Sequence, residues 1–299
     1  MAYCAYNLLI HSDLLLPELA PATEHDTTLP AIVIRYGAID RDGLPDGQPI
    51  GPFLWVNATS LWLHVPSVAH FLIREGRTIV IDPAAGIDED SLRVFLLASP
   101  IGVLLFQRGH LVLHGNAIRI GDQCLVCVGQ SGVGKSTLAA GFMQRGYEAI
   151  ADDVVPINAA CEVVPGAPRL KLWKDVLDKL QWDSSALRRI RPHTERFNVP
   201  IVHPGPRRAL PVRWVYTLER RRAEVPRIEA IYGMNRFTPL ANQSYRIRFM
   251  TELALKTQHL ALCGTLAGRI HLARVVRPDD AFDLEPLIDA LLADIAEHP

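Results

Sequence analysis

Residues 125–145, LVCVGQSGVGKSTLAAGFMQR, constrain this chain more than any other stretch. An apolar run, LVCV, leads into Gly129-Gln130-Ser131-Gly132-Val133-Gly134-Lys135-Ser136, which fits the pattern G-x-x-x-x-G-K-S/T without a mismatch. A helical pattern that begins with Ser136-Thr137 follows and closes at Gly146, a residue suited to end a helix. The expected unit is strand, loop, helix. Glycines let the loop backbone wrap closely and aim its N–H groups at phosphate oxygens. The helix N-terminus adds its positive end. Residues 129–137 are therefore expected to hold the phosphates of ATP, with Lys135 charging the β/γ-phosphates and the Ser136 hydroxyl available to Mg²⁺.

Seventeen residues after Lys135, Asp152 and Asp153 stand together at the end of the segment YEAIADD, read as a short strand with the acids at its tip. Aspartates are common in turns and caps. Beside a phosphate loop, a strand that delivers a carboxylate is also where such sites hold Mg²⁺. Two acids in a row allow one to serve the metal while its neighbour takes a proton from an attacking hydroxyl. His114, in LVLHGNA, lies on the strand before the loop strand. A hairpin between the two would bring it near the phosphates, although a packed core histidine is equally compatible with the pattern.

The 299 residues allow two domains. Basic and acidic residues nearly balance, 31 against 32, and the net charge is −1, so no overall field favours nucleic acid or an anionic membrane. Five scattered cysteines do not form a disulfide framework. The N-terminus lacks a signal-peptide pattern. The most apolar run, 94–107, is too short for a membrane span and contains Pro100. The chain is read as cytoplasmic, with no nucleic-acid or membrane partner.

AIVIRYG (31–37), LWLHV (61–65) and TIVID (78–82) read as strands, followed by one helix over 88–107 capped by Asp88 or Asp90. Residues 111–129 read as a hairpin turning at Gly121-Asp122. Residues 154–215 read as irregular, with a helix in LKLWKDVLDKLQW; VRWVYTL (212–218) is a strand, and 251–268 and 282–298 are amphipathic helices, the last preceded by a turn and cap in VRPDD. The domain boundary is placed near residue 105. Cys124 and Cys127, three apart on a strand, are read as two core residues on opposite faces. Trp173 is assigned to the core, with a substrate groove as the alternative. Arg196 and Arg246 are candidates for a phosphate or carboxylate, or else surface ion pairs. Arg220-Arg221-Arg222 reads as a solvated turn.

The run HGNAIRIGDQCLVCVGQSGVGKSTLAAGFMQRGYEAIADDVVPI resembles the catalytic domain of bacterial HPr kinase/phosphorylase. That family carries a His-Gly strand, a phosphate loop, a helix ending in Arg-Gly and an Ala-Asp-Asp segment in this order. The resemblance implies an α/β, mixed-sheet fold related to phosphoenolpyruvate carboxykinase for the kinase domain, 106–299; residues 1–105, read as a smaller β-rich domain, do not look like that family's N-terminal domain. It implies ATP and Mg²⁺ dependence and serine phosphorylation; a homo-oligomer is also expected. By position it makes Lys135, His114, Asp152 and Asp153 catalytic, and Ser136 and Asp153 metal residues, with Asp152 favoured as the base. The family's second signature, a Glu before an Arg-Gly and Ile-rich stretch, is missing; the chain reads VVPGAPRLKLWKDVLDKL instead, with Glu162 the only glutamate near.

The phrases SDLLLPEL, IVIRYG, GRTIVIDP, LLFQRGHLVLHGNAI and PRLKLWKDVL resemble HPr-kinase-like proteins encoded with lasso peptide biosynthesis genes. That second resemblance implies a kinase acting on a peptide, the lasso precursor, at its C-terminal serine. A non-catalytic nucleotide-binding subunit and a true HPr kinase are the alternatives.

Overall fold

The computed structural model describes all residues except 202–207, 222–224, 248–254 and 279–283. The first nine strands form one sheet: β1 (Ala2–Ala5), β2 (Leu8–Ser12), β3 (Ala20–Pro21), β4 (Ala31–Tyr36), β5 (Gln48–Gly51), β6 (Leu54–Val56), β7 (Ser60–Val65), β8 (Ala69–Arg74) and β9 (Thr78–Pro83). Their spatial order is β3-β1-β2-β4-β9-β8-β7-β6-β5, parallel at β2–β4 and β4–β9 and antiparallel elsewhere. The three expected strands fall on β4, β7 and β9. Each alternates or runs apolar toward a core shared with the helices that follow.

Those helices are two, where one was expected. α1 (Glu89–Leu96) starts at Asp88, whose carboxylate accepts the Ser91 N–H at 2.7 Å. α2 (Ser99–Gln107) carries Pro100 in its first turn. Proline has no N–H to continue a helix and fits only its opening turn, so the chain breaks at Ala98 and restarts. Residue 105 lies within α2.

The second sheet surrounds the phosphate loop. β10 (Leu111–Ile120) and β11 (Gln123–Gly129) make the expected hairpin, its turn supplied by Gly121 at φ 61°. β12 (Glu148–Ile157) pairs antiparallel with β10. β13 (Glu162–Val163) and β17 (Leu210–Arg221) follow in the sheet. β17 also lies parallel to β11, so five strands close into a ring. β19 (His271–Pro278) and β18 (Arg227–Ala230) extend the sheet from β17. A small third sheet has the order β14 (Arg169–Trp173), β16 (Arg196–Pro200), β15 (Arg188–Arg189).

Helices cover both faces. α3 (Lys135–Gln144) follows the loop and packs on β10, β12 and β14; Gly146 ends it at φ 83°. α4 (Lys174–Lys179), α5 (Phe237–Asn242), α6 (Lys256–Arg269) and α7 (Glu285–Glu297) complete the described helices. Val276 to Pro278 of VRPDD belong to β19 rather than to a turn; Asp279 and Asp280 lie outside the described residues, as do the first residues of both expected C-terminal helices.

Two expectations fail here. The acid strand does not end at Asp153: it continues to Ile157, because residues 153–157 keep pairing with β10. LKLWKDVLDKL is not one helix: 169–173 is a strand with Leu170 and Leu172 facing the core, and the helix begins at Lys174. Cys124 and Cys127 are fully buried and join different cores on opposite faces of β11, as their spacing requires.

Candidate active site

The loop 129–134 connects β11 to α3. Gly134, the residue before α3, has φ 103°, a left-handed conformation in which a side chain would be strained, and a Cβ there would meet the Arg277 guanidinium at 2.8 Å. Lys135 is 7 % exposed, and its ammonium donates to the carbonyls of Gly129 and Gln130 at 2.8 and 2.9 Å. Burial lowers its pKa, against the pull of Asp152 and Asp153. Asn116, fully buried on β10, donates from its side-chain amide to the Lys135 carbonyl, pinning the first turn of α3 to the sheet.

The β10–β12 register sets Gly115 opposite Asp153 and Asn116 opposite Asp152. Gly115 owes its identity to packing: a Cβ there would lie 2.3 Å from the Cys127 carbonyl of β11. On a regular strand, neighbouring side chains point to opposite faces. Asp153 has φ 70°, a conformation aspartate tolerates better than most residues, and both carboxylates line one cavity.

Each acid has its own partners. Asp152 accepts the Ser136 hydroxyl at 2.8 Å and the Lys171 backbone N–H at 3.0 Å. Asp153 meets the Lys171 ammonium at 2.7 Å and His114 Nδ1 at 3.3 Å. Burial raises the Asp152 pKa, the neighbouring charge of Asp153 adds to this, and the two hydrogen bonds partly offset it. Burial also weighs against the Asp153 anion, but Lys171 and His114 outweigh it and hold that carboxyl well below the ordinary range. Burial lowers the Lys171 pKa, opposed by Asp153.

The cavity that these groups share has a volume of about 440 Å³. His114, Ser131, Gly132, Gly134, Lys135, Ser136, Thr137, Asp152 and Asp153, all singled out from sequence, line it. So does Lys171, which was not. Its signal was the alternation in Arg169-Leu-Lys-Leu-Trp173, which sends Lys171 to the face opposite Leu170 and Leu172. Trp173 is not in the core. It is 51 % exposed at the cavity wall, under the Arg196 guanidinium at 5.7 Å. Arg196 donates to the Lys171 carbonyl at 3.2 and 3.3 Å rather than to an acid. Arg246 lies over the Tyr245 ring at 5.8 Å. Arg220 and Arg221 end β17, and Arg222 lies outside the described residues. Glu162 accepts from Asn158 at 2.8 Å and does not line the cavity.

Gln130 and Val133 face the other side of the loop. There a second cavity of about 540 Å³ runs between the loop crown, residues 217–220 and Gln243. It shares Thr217, Glu219 and Gln243 with a third, of about 700 Å³, lined also by Tyr232, Asn235, Asn242 and Arg274. Ser136 Oγ and Asp152 Oδ1, 2.8 Å apart, are hard oxygen donors of the kind that Mg²⁺ takes, and the loop beside them is a phosphate cradle.

A glycine loop opening a buried helix beside paired acids in a mixed α/β sheet defines a kinase-type domain. Residues 108–177 match the family described as HPr Serine kinase C-terminal domain, and that part of the chain is HPr-kinase-like. That family depends in general on ATP and a metal ion. Among solved structures, the HPr(Ser) kinase/phosphatase from Coxiella burnetii matches at 13 % identity over 62 % of this chain and 95 % of its own, with a TM-score of 0.26. No curated protein matches. No helix among the described residues is long and apolar enough to cross a membrane.

Proposed function

We propose that the chain is a Mg²⁺- and ATP-dependent kinase that transfers the γ-phosphate to a serine or similar hydroxyl of a peptide, the C-terminal residue of a lasso precursor. The observation that carries this is the pairing in one cavity: Ser136 with Asp152, and Asp153 with His114 and Lys171, against the loop that begins α3.

Ser136 and Asp152 would hold the metal, which supplies charge neutralisation at the phosphates. This exchanges the roles expected from sequence: Asp152 faces the metal and Asp153 the acceptor. Asp153 accepts the hydrogen bond of the incoming hydroxyl and orients it. Transfer passes through a loose transition state in which positioning matters most: the new O–P bond forms as the bond to ADP breaks, and the hydroxyl proton leaves late, to Asp153. Lys135 releases the loop carbonyls in favour of phosphate oxygens. In-line transfer puts acceptor and leaving group on opposite sides of the phosphorus. The acceptor therefore takes the cavity walled by Trp173 and Arg196, and the nucleoside takes the cavities beyond the loop crown.

Residues 1–105 form the smaller domain in this reading, with peptide recognition as their role. The chain works in the cytoplasm as a homo-oligomer. The experiment is label transfer from γ-labelled ATP to precursor peptides ending in serine, with HPr as a parallel acceptor. Lys135→Ala should lose on the order of 10²–10³ in rate, as removal of one preorganised charge contact does. Equal transfer by Lys135→Ala or Asp153→Asn sinks the proposal, and tight ATP binding with no transfer to any acceptor marks a non-catalytic subunit.

A further inference from the structure

The chain has five lysines against 26 arginines, and two of the five meet in one cavity. Lys135 belongs to the loop. Lys171 comes from a different sheet, is 7 % exposed, and engages both acids, Asp152 through its backbone N–H and Asp153 through its ammonium. Its strand is held in place by pairing with β16 and by Arg196, which grips the Lys171 carbonyl. Asp153 is thereby furnished on both oxygens, Oδ2 by Lys171 and Oδ1 by His114. Among the described residues the donors to Asp152 are neutral, a hydroxyl and an amide.

Resting on the kinase reading, we infer that Lys171 takes the place of a second metal ion: its ammonium occupies the Oδ2 side of Asp153, so a single metal ion, at Ser136 and Asp152, suffices. Phosphoryl-transfer sites neutralise phosphate charge with metal ions or fixed cations. An ammonium is a compact point charge with three donors, closer to an ion in shape than a guanidinium. A divalent ion brought to Asp153 would meet Lys171 at contact distance and be repelled. Lys171 is a positioning residue, acting through Asp153, which it fixes in one place relative to Ser136.

The test counts metal. Mn²⁺ bound per chain is measured by electron paramagnetic resonance at saturating non-hydrolysable ATP analogue, for the native chain, Lys171→Gln and Lys171→Arg. One ion is expected for the native chain and for Lys171→Arg. A second ion, binding at least tenfold tighter than any second ion of the native chain, is expected for Lys171→Gln. Lys171→Arg should also recover most of the kcat that Lys171→Gln loses, with KM for ATP little changed in both. Two ions in the native chain, or one in a folded Lys171→Gln, overturns the inference while the kinase reading stands. Failure of the native chain to bind the analogue overturns both. Thermal melting reports folding, and if Lys171→Gln does not fold, the native count decides alone.

Discussion

Asp153→Asn keeps the shape of the side chain and removes its charge, leaving the Lys171 ammonium buried without its counter-ion. Breaking a buried ion pair from one side costs about 3–5 kcal/mol. Here Lys171 is 7 % exposed but Asp153 is 22 %, so some water reaches the pair and the expected cost is about 2–3 kcal/mol. At roughly 2–4 °C per kcal/mol for a domain of this size, the melting temperature should fall by about 4–12 °C. Lys171→Met in the same chain removes the stranded charge, so the double variant should recover more than half of the loss. The assay is thermal unfolding by circular dichroism at pH 7.5 without nucleotide. The folded pKa of Asp153 lies below its unfolded value, so its stabilisation is complete above the ordinary carboxylate range, near pH 3.9, and disappears as pH falls through the folded value. The gap between native chain and variant should be constant from pH 8 to about 5 and shrink below about 4. A melting temperature unchanged by Asp153→Asn, or a double variant that loses the sum of both single losses, would refute the pairing as a stabilising contact.

Two further outcomes follow from the same geometry. Gly115→Ala puts a methyl group into the Cys127 carbonyl of the neighbouring strand; it should cost about 1–3 kcal/mol in chemical denaturation, and an unchanged midpoint would contradict the register of β10 on β11. Trp173→Ala strips an exposed indole from the acid-side cavity and should raise KM for the peptide acceptor by about tenfold, the loss of roughly 1.4 kcal/mol of contact, with nucleotide affinity unchanged; a weaker nucleotide and an unchanged peptide KM would reverse the assignment of the two cavities.

The strand, loop and helix from Leu125 to Gly146 were legible because each residue type there answers a local demand: apolar residues for a buried strand, glycines for backbone approach, a glycine to end the helix. The extent of β12 was not. Two adjacent aspartates after an apolar triplet look like a strand end, and only pairing with β10 explains why the strand runs on for four more residues. Arg169 to Lys179 was misread for a related reason. Leu170, Leu172, Val176 and Leu177 are all buried, and that spacing mixes a period of two with a period near 3.6, so one helix and a strand joined to a helix compete in the sequence. Reading it as a helix hid Lys171 and sent Trp173 to the core. The partners of the two acids were also beyond sequence, because they turn on the left-handed backbone at Asp153 and on which acid meets Ser136.

The acids gain precision from what lies behind them. Residues on both sides of the pair are anchored in different cores: Ala149 packs with α3, Ala151 and Val155 with α6 and the ring of strands, and Val154 with α2 and the N-terminal sheet. Tyr245 joins that last core, donates its N–H to the Val112 carbonyl at 2.8 Å and sets its ring 5.8 Å from His114. The N-terminal sheet therefore braces the back of the acid strand. Chemistry that depends on positioning loses rate when reacting groups drift by an ångström. Close-packed interiors resist such drift. On that physics one structural task of the N-terminal sheet and α2 is to hold Asp152 and Asp153 still.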